Sequence, residues 1–210
     1  WDYIGKKLPK KGRSAGKALD PLSLPAELLT ALEALYGHYE KTFELWDEAE
    51  IGVPPVLIVV CNNTATSELI YKYISGFIRE KDDGESAVLE NGRLALFRNY
   101  DENGNGLPRP NTILIDSAQL ESGESLDKDF REMAAVEIEQ FKREMVERTG
   151  DITAGDRIDE STLLREVMNT VGKKGKLGEQ IRCVVSVSML TEGWDANTVT
   201  HVLGVRAFGT

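Results

Sequence analysis

The amino-acid sequence predicts an α/β fold in which a mostly parallel sheet is flanked by helices. Short apolar segments rich in β-branched residues alternate with longer segments whose apolar residues recur at helical spacing. Strands and helices that alternate in this way usually form parallel βαβ units, with helices on the faces of the sheet. The chain has 210 residues, of which 41% are hydrophobic, so it can bury a core of that size.

A long helix is predicted near the start of the chain, over residues 25–49. Its leucines and tyrosines recur at helical spacing, and Phe43 and Trp46 extend the apolar face. Ser23 stands just before this segment and is a candidate N-cap.

The first βα unit follows directly. Residues 53–61 have two prolines near their start and then a run of Val, Leu, Ile and Cys, which is typical of a strand buried on both faces. Residues 65–79 again show helical spacing and are predicted to form a helix. The polar turn between strand and helix consists of Asn62, Asn63 and Thr64.

The second half of the chain continues the alternation. Phe130, Ala134, Ile138, Phe141 and Met145 form one stripe, which indicates an amphipathic helix over 127–148. Ser161 is the predicted cap of a shorter helix that extends to residue 171. The remaining predicted strands are a weak one over 93–97, two buried ones over 112–116 and 181–187, and a further one over 198–205.

The charge and hydropathy of the chain restrict its partners. It has 25 Lys and Arg against 35 Asp and Glu, a formal net charge of −10, so any contact with nucleic acid must rest on a local patch. No apolar run is long enough to span a membrane, and no signal-peptide pattern opens the chain. We therefore expect a cytoplasmic protein with no membrane partner.

The two cysteines, Cys61 and Cys183, both lie in apolar runs. Buried, reduced thiols of a cytosolic protein are the expected state, and a disulfide is the alternative. Neither cysteine has zinc-site spacing to His38 or His201, so we predict no metal site.

Residues 1–24 form a separate compositional block. The first 20 residues contain six Lys or Arg and two Asp, which makes them basic in an acidic chain. This block is either a solvated linker or a basic arm that lies near a phosphate backbone.

No complete nucleotide-binding or catalytic motif is present. The glycines in residues 12–18 resemble a phosphate-binding loop, but three residues rather than four separate them, and Ala18 replaces the required hydroxyl residue. This segment follows no predicted strand. The sequence also lacks a nucleophile elbow and a dinucleotide-binding glycine fingerprint.

The most informative segment is 184–199, where a buried strand leads into a polar turn and then into another strand. Ligands bind α/β sheets at the carboxyl ends of the strands. Gly193 would allow the backbone to approach a ligand closely. Asp195 could accept a hydrogen bond from a ribose hydroxyl, and Ser186 or Ser188 could donate one to a phosphate oxygen. An ordinary tight turn is the alternative interpretation.

Residues 186–210, which include the run Met-Leu-Thr-Glu-Gly-Trp-Asp-Ala-Asn-Thr-Val-Thr-His, resemble motif V of superfamily 2 helicases. The resemblance is closest to the Res subunit of Type III restriction enzymes and their relatives. It implies a RecA-like sandwich without the P-loop, in which residues 25–210 form the second RecA-like lobe, truncated before motif VI. Residues 1–24 would connect it to a preceding RecA-like lobe. Residues 56–64 match motif IV in placement.

The resemblance also implies roles for individual residues. Gly193 and Asp195 would contact ATP, usually through its ribose, and Glu192 would bridge to the other lobe on the ATP side. Ser188, with Ser186 as its neighbour, would contact the nucleic-acid backbone. Phosphates would meet the start of a helix at the motif IV turn, formed by Asn62, Asn63 and Thr64.

The implied function is that of a fragment of an ATP-dependent DNA translocase or helicase. Its intact form would be a hydrolase, the restriction endonuclease (Res) subunit of a Type III-like system, with DNA and a modification methyltransferase subunit as partners. ATP and Mg²⁺ would be bound mainly by the preceding lobe. Walker A, Walker B and motif VI are absent from this sequence, so we expect it to be inactive alone.

Several further expectations follow from the resemblance. Residues 80–110 and the helix over 127–149 exceed a minimal lobe and are interpreted as subgroup decorations. DNA contact is expected on the face that holds the motif turns, helped by the N-terminal lysines and by Lys173, Lys174 and Lys176. The alternative functions are a stand-alone nucleotide- or phosphate-binding module, or an interaction domain that docks a partner through helices 25–49 and 127–149.

Overall fold

The computed structural model describes residues 8, 20–80, 87–115, 131, 134–187 and 197–205. Within them, four parallel strands form the central sheet in the order β4-β5-β1-β6, and β2 and β3 form a separate antiparallel hairpin. The elements in chain order are α1 (Ala26–Glu48), β1 (Val56–Cys61), α2 (Thr64–Ser75), β2 (Gly76–Glu80), β3 (Ala87–Asn91), β4 (Thr112–Ile115), α3 (Ala135–Thr149), α4 (Glu160–Asn169), β5 (Cys183–Ser186) and β6 (Val199–Val205).

The core consists of two layers, one on each face of the sheet. Leu57 and Val59 of β1 pack with α1 and α2, whereas Val56 and Ile58 pack with α3 and α4. This division follows from the alternation of side chains along a strand. All six residues of β1 are buried, as predicted for a strand covered on both faces. The predicted α/β class, with a parallel sheet flanked by helices, is confirmed.

The helix predicted over 65–79 is wrong in its last part. α2 ends at Ser75, and Gly76 has a φ of 95°, which glycine adopts without strain and which ends the helix. The chain then pairs as β2 with β3. The helical spacing continues into this segment, but the antiparallel partner decides its conformation.

The weak strand predicted over 93–97 is also wrong. Residues 95–97 form a short 3₁₀ turn, and the strand lies earlier, at β3. Phe97 from this turn is fully buried between Tyr39, whose ring centroid is 4.5 Å away, and Tyr36, at 5.5 Å. The region interpreted as a decoration, residues 80–110, therefore contributes to the core.

Asn99 closes the outer edge of the sheet at β4. Its Oδ1 accepts a hydrogen bond from Thr112 N at 2.9 Å, and its Nδ2 donates to Thr112 O at 2.8 Å. The side-chain amide therefore bonds to β4 where a further strand would otherwise pair. It satisfies the buried N–H and C=O of Thr112, which an edge strand would leave without partners.

The two helices α3 and α4 agree with the predicted helices in this part of the chain except at one N-cap. Ala134, Ile138 and Phe141 are buried as expected, while residues 127–130 of that predicted helix lie outside the described residues. The cap of α4 is Asp159 and not Ser161, because Asp159 Oδ1 accepts from Thr162 N at 2.8 Å. Hydrogen bonds from Thr162 hold the pKa of the Asp159 carboxyl below its ordinary value.

Part of the basic block packs onto the core. Leu8 and Leu24 are buried in the layer that contains α1 and α2, and Asp20 forms an ion pair with Arg79 at 2.9 Å. The lysines of this block lie outside the described residues. None of the helices in the described part of the chain has the length and apolar character that a membrane crossing requires.

Candidate functional site

β1 and β5 end side by side at the carboxyl edge of the sheet. The two strands are parallel, and Val60 is the register partner of Ser186. The polar turn that begins at Asn62 and the segment that begins at Val187 therefore leave the sheet from adjacent strands. This is the arrangement in which open α/β sheets bind ligands.

The polar turn is also the N-terminus of α2. Asn63 has extended backbone angles and is the N-cap: its Oδ1 accepts a hydrogen bond from Thr66 N at 2.9 Å. Its Nδ2 donates to Asn62 Oδ1 at 2.9 Å. Asn63 is buried, whereas Asn62 and Thr64 are exposed. The turn therefore has a hydrogen-bonded, capped base and a polar surface open to solvent.

This helix start has the properties of an anion site. α2 has 12 residues, and a helix leaves its first N–H groups without intrahelical acceptors, here those of Thr64 and Ala65. The helix dipole adds a partial positive charge at the same place. In addition, the Oγ1 of Thr66, a fully buried residue in the first turn, has no hydrogen-bond partner within the part of the chain that the structure describes. The prediction did not include Thr66, although its position in a Thr-Ala-Thr run just after the turn was a signal.

Ser186 is at the same edge, but its side chain points away from α2. Val185 packs in the layer with α1 and α2, and Val184 packs with α3 and α4. Because side chains alternate between the two faces of a strand, the side chain of Ser186 lies on the face covered by α3 and α4. The residue is only 2% exposed. The structure therefore brings Asn62, Asn63 and Thr64 together, but it does not add the Ser186 side chain to them.

The other predicted site residues lie outside the described residues, namely Ser188, Glu192, Gly193 and Asp195. Their described flanks are anchored at opposite edges of the sheet. Val187 N donates to Ile115 O at 3.2 Å at the carboxyl edge, and Thr198 O accepts from Val56 N at 2.9 Å at the amino edge.

The lysine loop lies at the wrong edge to assist the turn. Lys173 and Lys174 belong to the connection that precedes β5, and the Nζ of Lys174 lies 3.6 Å from the position of a Cβ on Gly52, which precedes β1. Lys176 is ion-paired with Glu144 of α3. We expected these lysines to support DNA binding at the motif turns, but Lys173 and Lys174 are at the amino ends of the strands, opposite the α2 N-terminus.

Neither cysteine offers a reactive thiolate. Both are free and buried, as predicted. Burial raises the pKa of the Cys61 thiol to about 12 and raises that of Cys183 as well, so both are protonated at neutral pH. Across the described ranges, no group of three or more His, Cys, Asp or Glu side chains is placed to hold a metal ion.

Comparison of the chain with family models, with curated proteins and with solved structures found no match.

Proposed function

We propose that this chain is the second RecA-like lobe of an ATP-dependent DNA translocase of helicase superfamily 2, most similar to the Res subunits of Type III restriction enzymes. One observation carries the proposal. The motif IV-like turn, at the capped start of α2, and the strand that leads into the motif V-like segment leave adjacent parallel strands at one edge of the sheet.

In this proposal, ATP binds between this lobe and a preceding one that supplies the Walker motifs and holds most of the Mg²⁺ contacts. Gly193 and Asp195 contribute from this side through the ribose, and Glu192 bridges the lobes. Opening and closing of the cleft then steps the two lobes along one DNA strand. The α2 N-terminus holds a backbone phosphate during each step.

The net charge of −10 does not oppose this mechanism. A broad basic surface is needed when a protein coats DNA by bulk charge. A motor lobe instead needs a few directed contacts, and backbone N–H groups at a helix start provide them without a lysine or arginine. Such contacts position the DNA without reading its sequence.

The proposal is tested by DNA-stimulated ATP hydrolysis. We expect no turnover from these 210 residues, and turnover from a longer protein that contains both lobes and motif VI. Turnover by this chain alone would contradict the half-motor proposal. If this chain instead binds ATP measurably and DNA changes nothing, the stand-alone nucleotide-binding module is favoured, an alternative that the capped helix start at α2 also supports.

Asn63→Asp separates the structural role of the cap from phosphate binding. Asp caps a helix about as well as Asn, but it cannot donate the bond that Asn63 Nδ2 makes to Asn62 Oδ1, so the free energy of unfolding should fall by about 0.5–1.5 kcal/mol. Its carboxylate, however, repels a phosphate at the same N-terminus. In the two-lobe protein we expect DNA-stimulated turnover to fall about tenfold, which corresponds to about 1.4 kcal/mol.

The matched control for this substitution is Asn169→Asp, which changes an exposed residue at the end of α4. It should leave turnover unchanged. If Asn63→Asp also retains full DNA-stimulated turnover, the phosphate contact assigned to the α2 N-terminus is wrong.

A further inference from the structure

A second concave site lies at the amino edge of the sheet, opposite the α2 N-terminus. It is a cavity of about 240 Å³ between the C-terminal part of α1, the loop before β1, and the residues that lead into β5. Its lining includes two aromatic side chains, two prolines and one arginine, namely Phe43, Trp46, Pro54, Pro55 and Arg182. Nothing in the proposed motor mechanism uses this cavity.

Arg182 has no counter-ion among the described side chains. Its guanidinium carbon lies 4.8 Å from the centre of the Phe43 ring, and its Nη1 donates to Leu96 O at 3.1 Å. Its Nε is buried and has no hydrogen-bond partner among the described residues. Within the described part of the chain, no carboxylate lies within 4.0 Å of the guanidinium, although Asp47 lines the same cavity. A half-buried charge is costly unless an anion neutralises it.

A second cation stands at the rim. The Nζ of Lys174 lies 3.6 Å from the Cβ position of Gly52, which is part of the lining. Lys174 is exposed and, among the described side chains, has no ion-pair partner. The cavity wall holds one cation, Arg182, and one carboxylate, Asp47, and Lys174 adds a second cation at the entrance. The net charge of these groups is therefore positive and favours an anion.

The remaining walls favour a flat apolar group. Trp46 and Phe43 present aromatic surfaces, and Pro54 and Pro55 present aliphatic ones. Aromatic rings stack well against such surfaces, and a planar carboxylate matches the fork of an arginine. The volume of about 240 Å³ is below the range of about 300–1,000 Å³ that drug-sized ligands occupy, so one ring with its acid group is the expected size.

We propose that this cavity binds a one-ring aromatic carboxylate, with the ring against Trp46 and the carboxylate on Arg182. The proposal does not depend on the motor function. It predicts that affinity requires both parts of the ligand, because the ring alone leaves Arg182 without a counter-ion and the acid alone leaves the apolar walls in water.

The test is a titration of the 210-residue chain with phenylacetate, followed by NMR at the Trp46 indole and the Arg182 Nε–H. We expect saturable shifts at both groups with a dissociation constant of about 1 mM, the range open to a ligand of this size. Phenylacetamide, which keeps the ring but has no charge, and acetate, which has no ring, should each bind at least about tenfold more weakly. Equal binding of the amide, or no saturation at Trp46, would overturn the proposal.

Variants check the two cations separately. Arg182→Gln should weaken phenylacetate binding about tenfold or more, and Lys174→Gln, at an exposed position, about two- to threefold. Arg165→Gln, an exposed arginine on α4, is the matched control and should not change the affinity. Because Arg182 also bonds to Leu96, Lys174→Gln keeps the proposal testable if Arg182→Gln does not fold. Unchanged affinity in a folded Arg182→Gln variant would rule out the carboxylate site.

Discussion

The Phe97→Ala variant is expected to lose about 3–5 kcal/mol of unfolding free energy, the usual cost of removing a buried phenyl ring. Phe97 is fully buried and its ring packs on Tyr39 and Tyr36. The two tyrosines belong to the long helix α1 and cannot close the cavity without moving that helix. The loss is a large part of the 5–15 kcal/mol that keeps a typical domain folded.

Urea denaturation followed by circular dichroism measures this loss. Ile152→Ala is the control, because Ile152 is 85% exposed and its truncation should change the unfolding free energy by less than about 0.5 kcal/mol. A loss below about 1 kcal/mol for Phe97→Ala would mean that residues 80–110 are a dispensable decoration after all.

Asn99→Leu is expected to destabilise the protein by about 2–5 kcal/mol, because it leaves both the N–H and the C=O of Thr112 buried without partners. Leucine has nearly the same shape as asparagine, so the loss reports the hydrogen bonds and not a cavity. Thr112 is fully buried, so water cannot replace the amide. Thermal and urea unfolding measure the effect, and Asn103→Leu, in an exposed turn, is the control.

Asn99→Asp adds a dependence on pH with a defined sign. An ionised carboxylate can accept from Thr112 N but repels Thr112 O, whereas a protonated one can donate to that oxygen. Folding therefore raises the pKa of the new side chain. The stability of this variant relative to the parent is greatest at acidic pH and falls as pH rises through the folded-state pKa. A stability difference that does not change with pH would show that Asn99 does not cap β4 as described.

The sequence patterns correctly predicted those elements in which the same pattern of burial continues along the whole length. α1 agrees with the prediction over 25–49, and β1, predicted over 53–61, begins at Val56 after the two prolines. Helical spacing and a β-branched run each specify which residues leave water. The polar helix start at Asn63 was predictable for the same reason. The sequence has a buried strand that is followed by Asn-Asn-Thr and then by a helical pattern. This order puts a polar helix start at the end of a strand.

The errors occur where partners distant in sequence decide the structure. Gly76 ends α2, but it is the pairing with β3 that turns the next residues into a strand. Asp159 rather than Ser161 caps α4, because the cap is chosen by the direction in which the preceding chain enters the helix. The contact of Ser186 with a nucleic-acid backbone stays a prediction, and the packing of β5 shows only that its side chain lies on the sheet face opposite α2.

The α/β class, the buried strands and the polar turn at Asn62 follow from the amino-acid sequence alone, because each depends on a local pattern of apolar and polar side chains. Which polar groups share an edge of the sheet depends on the three-dimensional fold. The Asn63 cap lies at the carboxyl ends of the strands, whereas Lys174 and Arg182 lie at the amino ends. Strand order and direction come from packing between segments far apart in the chain, and the spacing of residues along the sequence does not specify that packing.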